Sequence, residues 1–119
     1  MGKIVITNNP MVCEKITNYE LQYRDTSYLG ILELVRDRVH MGHTLITHPL
    51  AGSVKPGETP YRTVLISSEA GELDIKSLST IEESIITCKK LTKHVTLGWS
   101  ERILLDFQLI DFDLIFGRI

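Results

Sequence analysis

The sequence predicts a small α/β domain in which about four mainly parallel strands are flanked by helices in three layers. Short β-branched runs alternate with longer segments whose apolar residues recur at helical spacing. The resulting order, β-α-β-α-β-β-α-α, is typical of a Rossmann-like or flavodoxin-like sheet with helices on both faces. The chain has 119 residues, of which 43% are hydrophobic. That length supports one core, so we treat residues 1–119 as a single domain.

The predicted strands differ in how they are buried. They comprise residues 3–7, 19–23, 44–47 and 63–67. The first is apolar at consecutive positions, which is typical of a strand buried on both faces. The second alternates apolar and polar residues, which indicates one wet face and a position at the sheet edge. The connection before the last strand allows it to run in either direction.

Each predicted helix begins with a side chain that can cap it. The four N-cap residues are Asn9, Ser27, Asp74 and Ser100. The helix after Ser27 has apolar residues at i, i+3, i+4 and i+7, and Gly42 is placed to end it. In the last helix the predicted inward stripe is Ile103, Leu104, Phe107 and Ile110. Residues 111–116 either continue this helix or form a final short turn.

Composition and missing motifs exclude several classes of protein. A net charge of −2 argues against binding to nucleic acid or to an acidic membrane. The two cysteines, Cys13 and Cys88, lie far apart, and no Cys or His spacing fits a metal site. No signal peptide or apolar membrane span is present, so we expect a cytoplasmic protein. The chain also lacks GxGxxG, P-loop and GxSxG motifs, so we expect no cofactor and favour a non-catalytic role.

A binding site is predicted where the strands end, because ligands of open α/β sheets bind beyond the carboxyl ends of the strands. Asn8 follows the first strand and is not easily explained as a cap. A long polar loop stiffened by prolines follows from His48, and the formal charge of +1 over residues 48–62 suits a carboxylate or phosphate. The candidate ligand-binding residues are Asn8, His48, Ser53, Lys55, Thr59 and Tyr61. The alternative is that Pro and Gly merely shape a surface crossover.

Several stretches of the chain together resemble one protein family. They are IVITNNP at residues 4–10, THPLAGSVKP at 47–56 continuing to ETPY at 58–61, GELD at 71–74 and DFQLID at 106–111. With these stretches in this order, the chain resembles the GrdX family. The resemblance implies a small protein encoded with the glycine, sarcosine or betaine reductase systems of amino-acid-fermenting anaerobes. It implies no catalytic residues.

Three functions therefore stay open. The first is a non-catalytic accessory or regulatory protein that binds a small anionic metabolite or a reductase subunit at the loop of residues 48–61. The second is a small enzyme acting on an anionic metabolite, with His48 as general acid or base. The third is a scaffold that forms a homodimer through its C-terminal aromatic helix.

Overall fold

The computed structural model describes residues 2–51, 55–92 and 98–118 and confirms a small α/β domain. Its strands are β1 (Lys3–Thr7), β2 (Glu20–Tyr23) and β3 (Thr63–Ser67). Its helices are α1 (Pro10–Lys15), α2 (Tyr28–His40), α3 (Ile75–Leu91) and α4 (Glu101–Phe116). The strands form one sheet in the order β2-β1-β3. Within the described residues, no helix combines the length and apolar character needed to cross a lipid bilayer.

The sheet lies between two pairs of helices, so the three-layer prediction is confirmed. On one face, Ile4 and Ile6 of β1 pack with side chains of α2 and α3. On the other face, Val5 of β1 packs with Val12 of α1 and Ile115 of α4. The consecutive apolar residues of β1 therefore face two cores, as their pattern predicts.

All four predicted N-caps are confirmed. The side chains of Asn9, Ser27, Asp74 and Ser100 accept hydrogen bonds from the amides of Met11, Gly30, Ser77 and Ile103, respectively. Residues 111–116 continue α4 and do not form a separate turn. The helix starts are thus determined locally, because each cap needs only its own side chain and the next turn.

The predicted strand at residues 44–47 is wrong. This segment lies along the outer edge of β3 but forms only an isolated bridge between Leu45 and Ile66. Side-chain hydroxyls replace backbone partners here: that of Thr47 accepts from the amide of Leu65, and that of Ser67 accepts from the amide of Thr44. The backbone ladder is therefore interrupted on both sides of the bridge.

The prediction of a Rossmann-like or flavodoxin-like sheet with about four mainly parallel strands is accordingly corrected to a mixed sheet of three within the described residues. β1 and β2 are parallel, whereas β3 runs antiparallel to β1. The segment of residues 44–47 runs antiparallel to β3 and so ends where β1 ends. The loop after it begins and finishes at that same edge of the sheet, so β3 has to return in the opposite direction.

The predicted inward stripe of α4 is wrong at two of its four positions, because Leu104 and Phe107 are half-buried whereas Ile103 and Ile110 are exposed. Ile103 and Ile110 are 44% and 39% exposed. The buried residues of this helix are Asp111 and Ile115, and Gln108 is half-buried. Gln108 and Asp111 therefore face inward, because neighbouring segments provide hydrogen-bonding partners for them there.

Candidate functional site

A cavity of about 500 Å³ lies at the edge of the sheet where β1 and β2 end and α2 begins. This is the position at which parallel strands commonly present ligand-binding groups. One part of its wall is polar and consists of Asn8, Asp25, Thr26, Ser27, Thr59 and Thr92. Among the described lining residues, Asp25 is the only one with a charged side chain. The volume falls within the range of small-molecule sites.

The other part of the wall is apolar and rich in aromatic rings. It consists of Tyr28, Leu29, Pro60, Tyr61, Trp99 and Leu104. Trp99 packs edge-to-face against Phe107, with 5.7 Å between ring centroids. The hydroxyl of Tyr61 accepts a hydrogen bond of 2.9 Å from Nε2 of Gln108, so its own proton stays available as a donor. Aromatic faces beside a carboxylate attract cationic groups.

Asn8 joins the three segments that form the polar wall. Its Nδ2 donates to the carbonyl oxygens of Thr26 and Pro60, both at 2.8 Å. Its Oδ1 accepts from the amide of Arg62, also at 2.8 Å. Both protons of the side-chain amide are therefore committed within the protein. The contribution of Asn8 to a ligand site is thus mainly to hold neighbouring segments in position around the cavity.

The first turn of α2 adds backbone donors to the cavity wall. Ser27 caps this helix by accepting from the amide of Gly30 at 3.0 Å. Helix geometry leaves the amides of Tyr28 and Leu29 without partners inside the helix. The first turn carries no acidic side chain. The partial positive charge of the helix N-terminus therefore faces this region without a compensating carboxylate in that turn.

Tyr28 is a buried residue with an unusual hydroxyl. Only 4% of the residue is exposed, and its phenolic oxygen lacks a hydrogen-bond partner within the described residues. Burial raises the pKa of the phenol, an effect that the nearby positive charge of Arg62 partly opposes. Nε of Arg62 is likewise buried without a hydrogen-bond partner within the described residues. Tyr28 stays a neutral donor at physiological pH.

The loop of residues 48–62 is held from the inside by Arg62. This side chain is buried, and it donates from Nη1 to the carbonyl oxygen of Ala51 at 2.6 Å and from Nη2 to that of His48 at 3.3 Å. Further along the loop, the amide of Glu58 donates to the carbonyl oxygen of Lys55 at 2.9 Å. Specific hydrogen bonds therefore hold the described parts of the loop in position.

The predicted site residues separate into two groups. Asn8, Thr59 and Tyr61 line the cavity together. His48 and Lys55 are exposed and do not belong to its wall. Nδ1 of His48 accepts from the amide of Leu50 at 3.0 Å. Ser53 lies outside the described residues.

A second polar cluster lies between the sheet and α4. Oδ2 of Asp111 accepts from Nδ2 of Asn9 at 3.0 Å and from the hydroxyl of Thr63 at 2.7 Å. The hydroxyls of Thr7 and Thr63 are 2.7 Å apart, and since Thr63 gives its proton to Asp111, Thr7 is the donor between them. A small cavity of about 110 Å³ borders Asp111, Arg62 and Thr63.

Asp111 should make stability depend on pH. Burial raises the pKa of its carboxyl above the ordinary value of 3.8, and hydrogen bonds from Thr63 and Asn9 and the charge of Arg62 only partly oppose this. A raised native pKa means that the folded state binds more protons, so this contribution is complete below about pH 4 and is lost as pH rises through the native value. We expect Asp111→Asn to reduce the change in the free energy of unfolding over that pH range. Urea unfolding of the wild type and of Asp111→Asn at several pH values measures this difference. The same pH dependence of the free energy of unfolding in both proteins would contradict the assignment.

Sequence reasoning missed several residues of these two sites. Tyr28 and Trp99 line the cavity, and Asp111 is a buried polar residue that the sequence pattern did not single out. The one available signal was the spacing of Leu104, Gln108, Asp111 and Ile115, an i, i+4, i+7, i+11 stripe that is half polar. A polar residue on a helical stripe with two apolar residues indicates a buried partner elsewhere in the chain.

The histidines and cysteines have separate surroundings. Nδ1 of His43 lies 2.7 Å from the carbonyl oxygen of Ser67, which accepts its proton. Cys88 is buried in the core, whereas Cys13 is exposed. In the described ranges, no group of three or more His, Cys, Asp and Glu side chains is placed to hold a metal ion.

The fold and the cavity define a small α/β protein with a ligand-sized site at the carboxyl edge of its sheet. The chain belongs to the GrdX-like protein family, whose sequence model matches residues 4–119. No curated protein and no solved structure shows significant similarity to it.

Proposed function

We propose that this GrdX-like protein is a non-catalytic accessory component of a glycine-type amino-acid reductase system in the cytoplasm, and that it binds a small zwitterionic metabolite. The observation that carries the proposal is the cavity of about 500 Å³ at the carboxyl edge of the sheet. Family membership supplies the biological setting, because the resemblance of the sequence implies an association with such reductases.

The charges around the cavity favour a ligand with both a negative and a positive group. A carboxylate suits the first turn of α2, where backbone amides and the helix dipole favour an anion. Thr59 and Tyr61 also line the cavity, and their hydroxyls can add donors. A purely anionic ligand would meet the carboxylate of Asp25, whereas an ammonium group would pair with it. The ligand class is therefore an amino acid or an N-methylated amino acid.

The aromatic rings favour the same class. Tyr61 and Trp99 both line the cavity. An ammonium or quaternary ammonium group that faces such rings gains about 0.5–2 kcal/mol, the larger values when it is desolvated. This term increases the preference for methylated amines, so glycine betaine is the most informative probe.

A thermal-shift titration tests this function. Saturation at about 100 times Kd should stabilise the protein by about 2.7 kcal/mol through mass action. We expect glycine, sarcosine or betaine to raise the melting temperature, and acetate or tetramethylammonium alone to do so less. Asp25→Asn and Trp99→Leu should weaken the shift, while the exposed variants His48→Ala and Lys55→Ala should retain it.

Two results would contradict the proposal. A shift that survives both cavity variants but disappears in Lys55→Ala would move the site to the outer loop. Turnover of a bound amino acid that is abolished in His48→Ala would identify an enzyme.

Exposed His48 and Lys55 lie outside the cavity wall, so we assign them to contact with a reductase subunit. Lys55→Glu should then weaken subunit capture without affecting betaine binding.

A further inference from the structure

Strand β2 has an open edge within the described part of the chain. It pairs in parallel with β1 on one side and is the outermost strand of the sheet. The amide of Arg24 donates to the carbonyl oxygen of Thr7 at 3.0 Å, so the backbone of Arg24 points towards β1. Because successive residues of a strand alternate, the amide and carbonyl groups of Tyr23 and Leu21 point outwards. An edge of this kind is a template for a further strand.

The sequence of this edge is complementary to itself. Residues 20–24 read Glu-Leu-Gln-Tyr-Arg. When two copies are placed antiparallel about Gln22, Leu21 of one faces Tyr23 of the other, and both have outward backbone groups. The same register places Glu20 opposite Arg24 at each end. Both side chains are exposed.

We infer that two copies of this chain associate through antiparallel pairing of their β2 strands, which produces a continuous six-stranded sheet with two-fold symmetry. Four backbone hydrogen bonds join Leu21 and Tyr23 of the two copies. Glu20 and Arg24 occupy non-hydrogen-bonded positions, where opposed side chains approach most closely, so each end carries an ion pair. This proposal is independent of what the cavity binds.

The register explains why the partner that pairs with the open edge of β2 is a second copy of this chain. Antiparallel pairing about a point between two residues would place outward groups opposite inward ones, and no hydrogen-bonded ladder would form. Pairing about Gln22 satisfies the outward groups of both copies and matches opposite charges at both ends. A closed two-fold interface of this type also stops further growth of the sheet at this edge.

Charge reversal tests the pairing. Glu20→Arg and Arg24→Glu each replace two ion pairs per dimer with like-charge pairs, which should raise the dimer dissociation constant about tenfold or more. The double variant Glu20→Arg/Arg24→Glu restores opposite charges and should restore association. Glu82→Arg, an exposed reversal on α3, is the matched control and should have no effect. Sedimentation equilibrium over a wide concentration range measures all four, since a short interface belongs to the weak class.

Amide exchange tests the register itself. In the dimer the amides of Leu21 and Tyr23 should be protected, and in the single charge variants they should exchange rapidly. The amides of Gln22 and Arg24 face β1 and should be protected in both states. A protein that stays monomeric at the highest concentration overturns the inference. So does a dimer that tolerates both single reversals, including one that is lost instead in Leu109→Glu on the exposed apolar face of α4.

Discussion

Replacing Asn8 with alanine should lower the free energy of unfolding by about 2–4 kcal/mol, because it leaves one buried amide and two part-buried carbonyl oxygens without partners. The amide of Arg62 and the carbonyl oxygens of Thr26 and Pro60 all bond to this one side chain. Asn8 is only 5% exposed, so water cannot readily replace it. Urea-induced unfolding at constant pH measures the loss.

The chemistry of the Asn8 contacts provides a sharper control. Asn8→Asp keeps the acceptor for Arg62 but replaces the donor with a carboxylate oxygen that faces two carbonyl oxygens. It should therefore be at least as destabilising as Asn8→Ala at neutral pH. Asn18→Ala removes an exposed asparagine and should leave stability within about 0.5 kcal/mol of the wild type. Equal stability of Asn8→Ala and Asn18→Ala would mean that Asn8 does not join these segments.

Gly42→Ala should destabilise the protein by at least about 2 kcal/mol, through backbone strain and overpacking. Gly42 follows α2 and has φ of +105°, a conformation that residues with a side chain rarely adopt. A Cβ at this position would collide with the backbone carbonyl of Gly71. That carbonyl belongs to the backbone, so the collision cannot be relieved by a change of rotamer. Thermal or urea unfolding measures the effect.

Gly71→Ala is the matched control for this contact. A Cβ added at Gly71 meets no atom within 4 Å, and this glycine does not have a positive φ. We expect its free energy of unfolding to stay near that of the wild type. If both alanine variants were equally stable, the close approach after α2 would not be a structural requirement.

Features decided by a few neighbouring residues could be predicted from the sequence. The N-caps depend on a side chain and the following turn, and β1 follows from its apolar run, so these predictions are confirmed. The segment of residues 44–47 has the same local pattern as a strand. It fails as one because the hydroxyls of Thr47 and Ser67 accept from the amides of Leu65 and Thr44, which a ladder would have used.

The candidate site was predicted only in part, for a related reason. The position of Asn8 after β1 indicated the carboxyl edge of the sheet, and Thr59 and Tyr61 do line the cavity there. Polar residues of the loop carry the same sequence signal whether they face inwards or outwards, and exposed His48 and Lys55 illustrate this ambiguity. Trp99 reaches the cavity from a distant part of the chain, which no local pattern could show.

The inward polar residues of α4 show the same limit. Asp111 pairs with Thr63, which is 48 positions away in the chain. Hydrophobic periodicity assigns polar residues to the outside of a helix, so the stripe predicted from Ile103 and Ile110 was rotated away from the true one. Only the partner on β3 makes the inward orientation of Asp111 favourable.

The most direct test of the ligand site is a ¹H–¹⁵N correlation titration with glycine betaine. Binding in the cavity should shift the indole N–H of Trp99 and the backbone amides of Thr26 and Tyr28, and these resonances should saturate together. The amides of His48 and Lys55 should stay in place. Shifts confined to His48 and Lys55, or no shifts with betaine, sarcosine or glycine, would contradict the assignment of this cavity as the binding site.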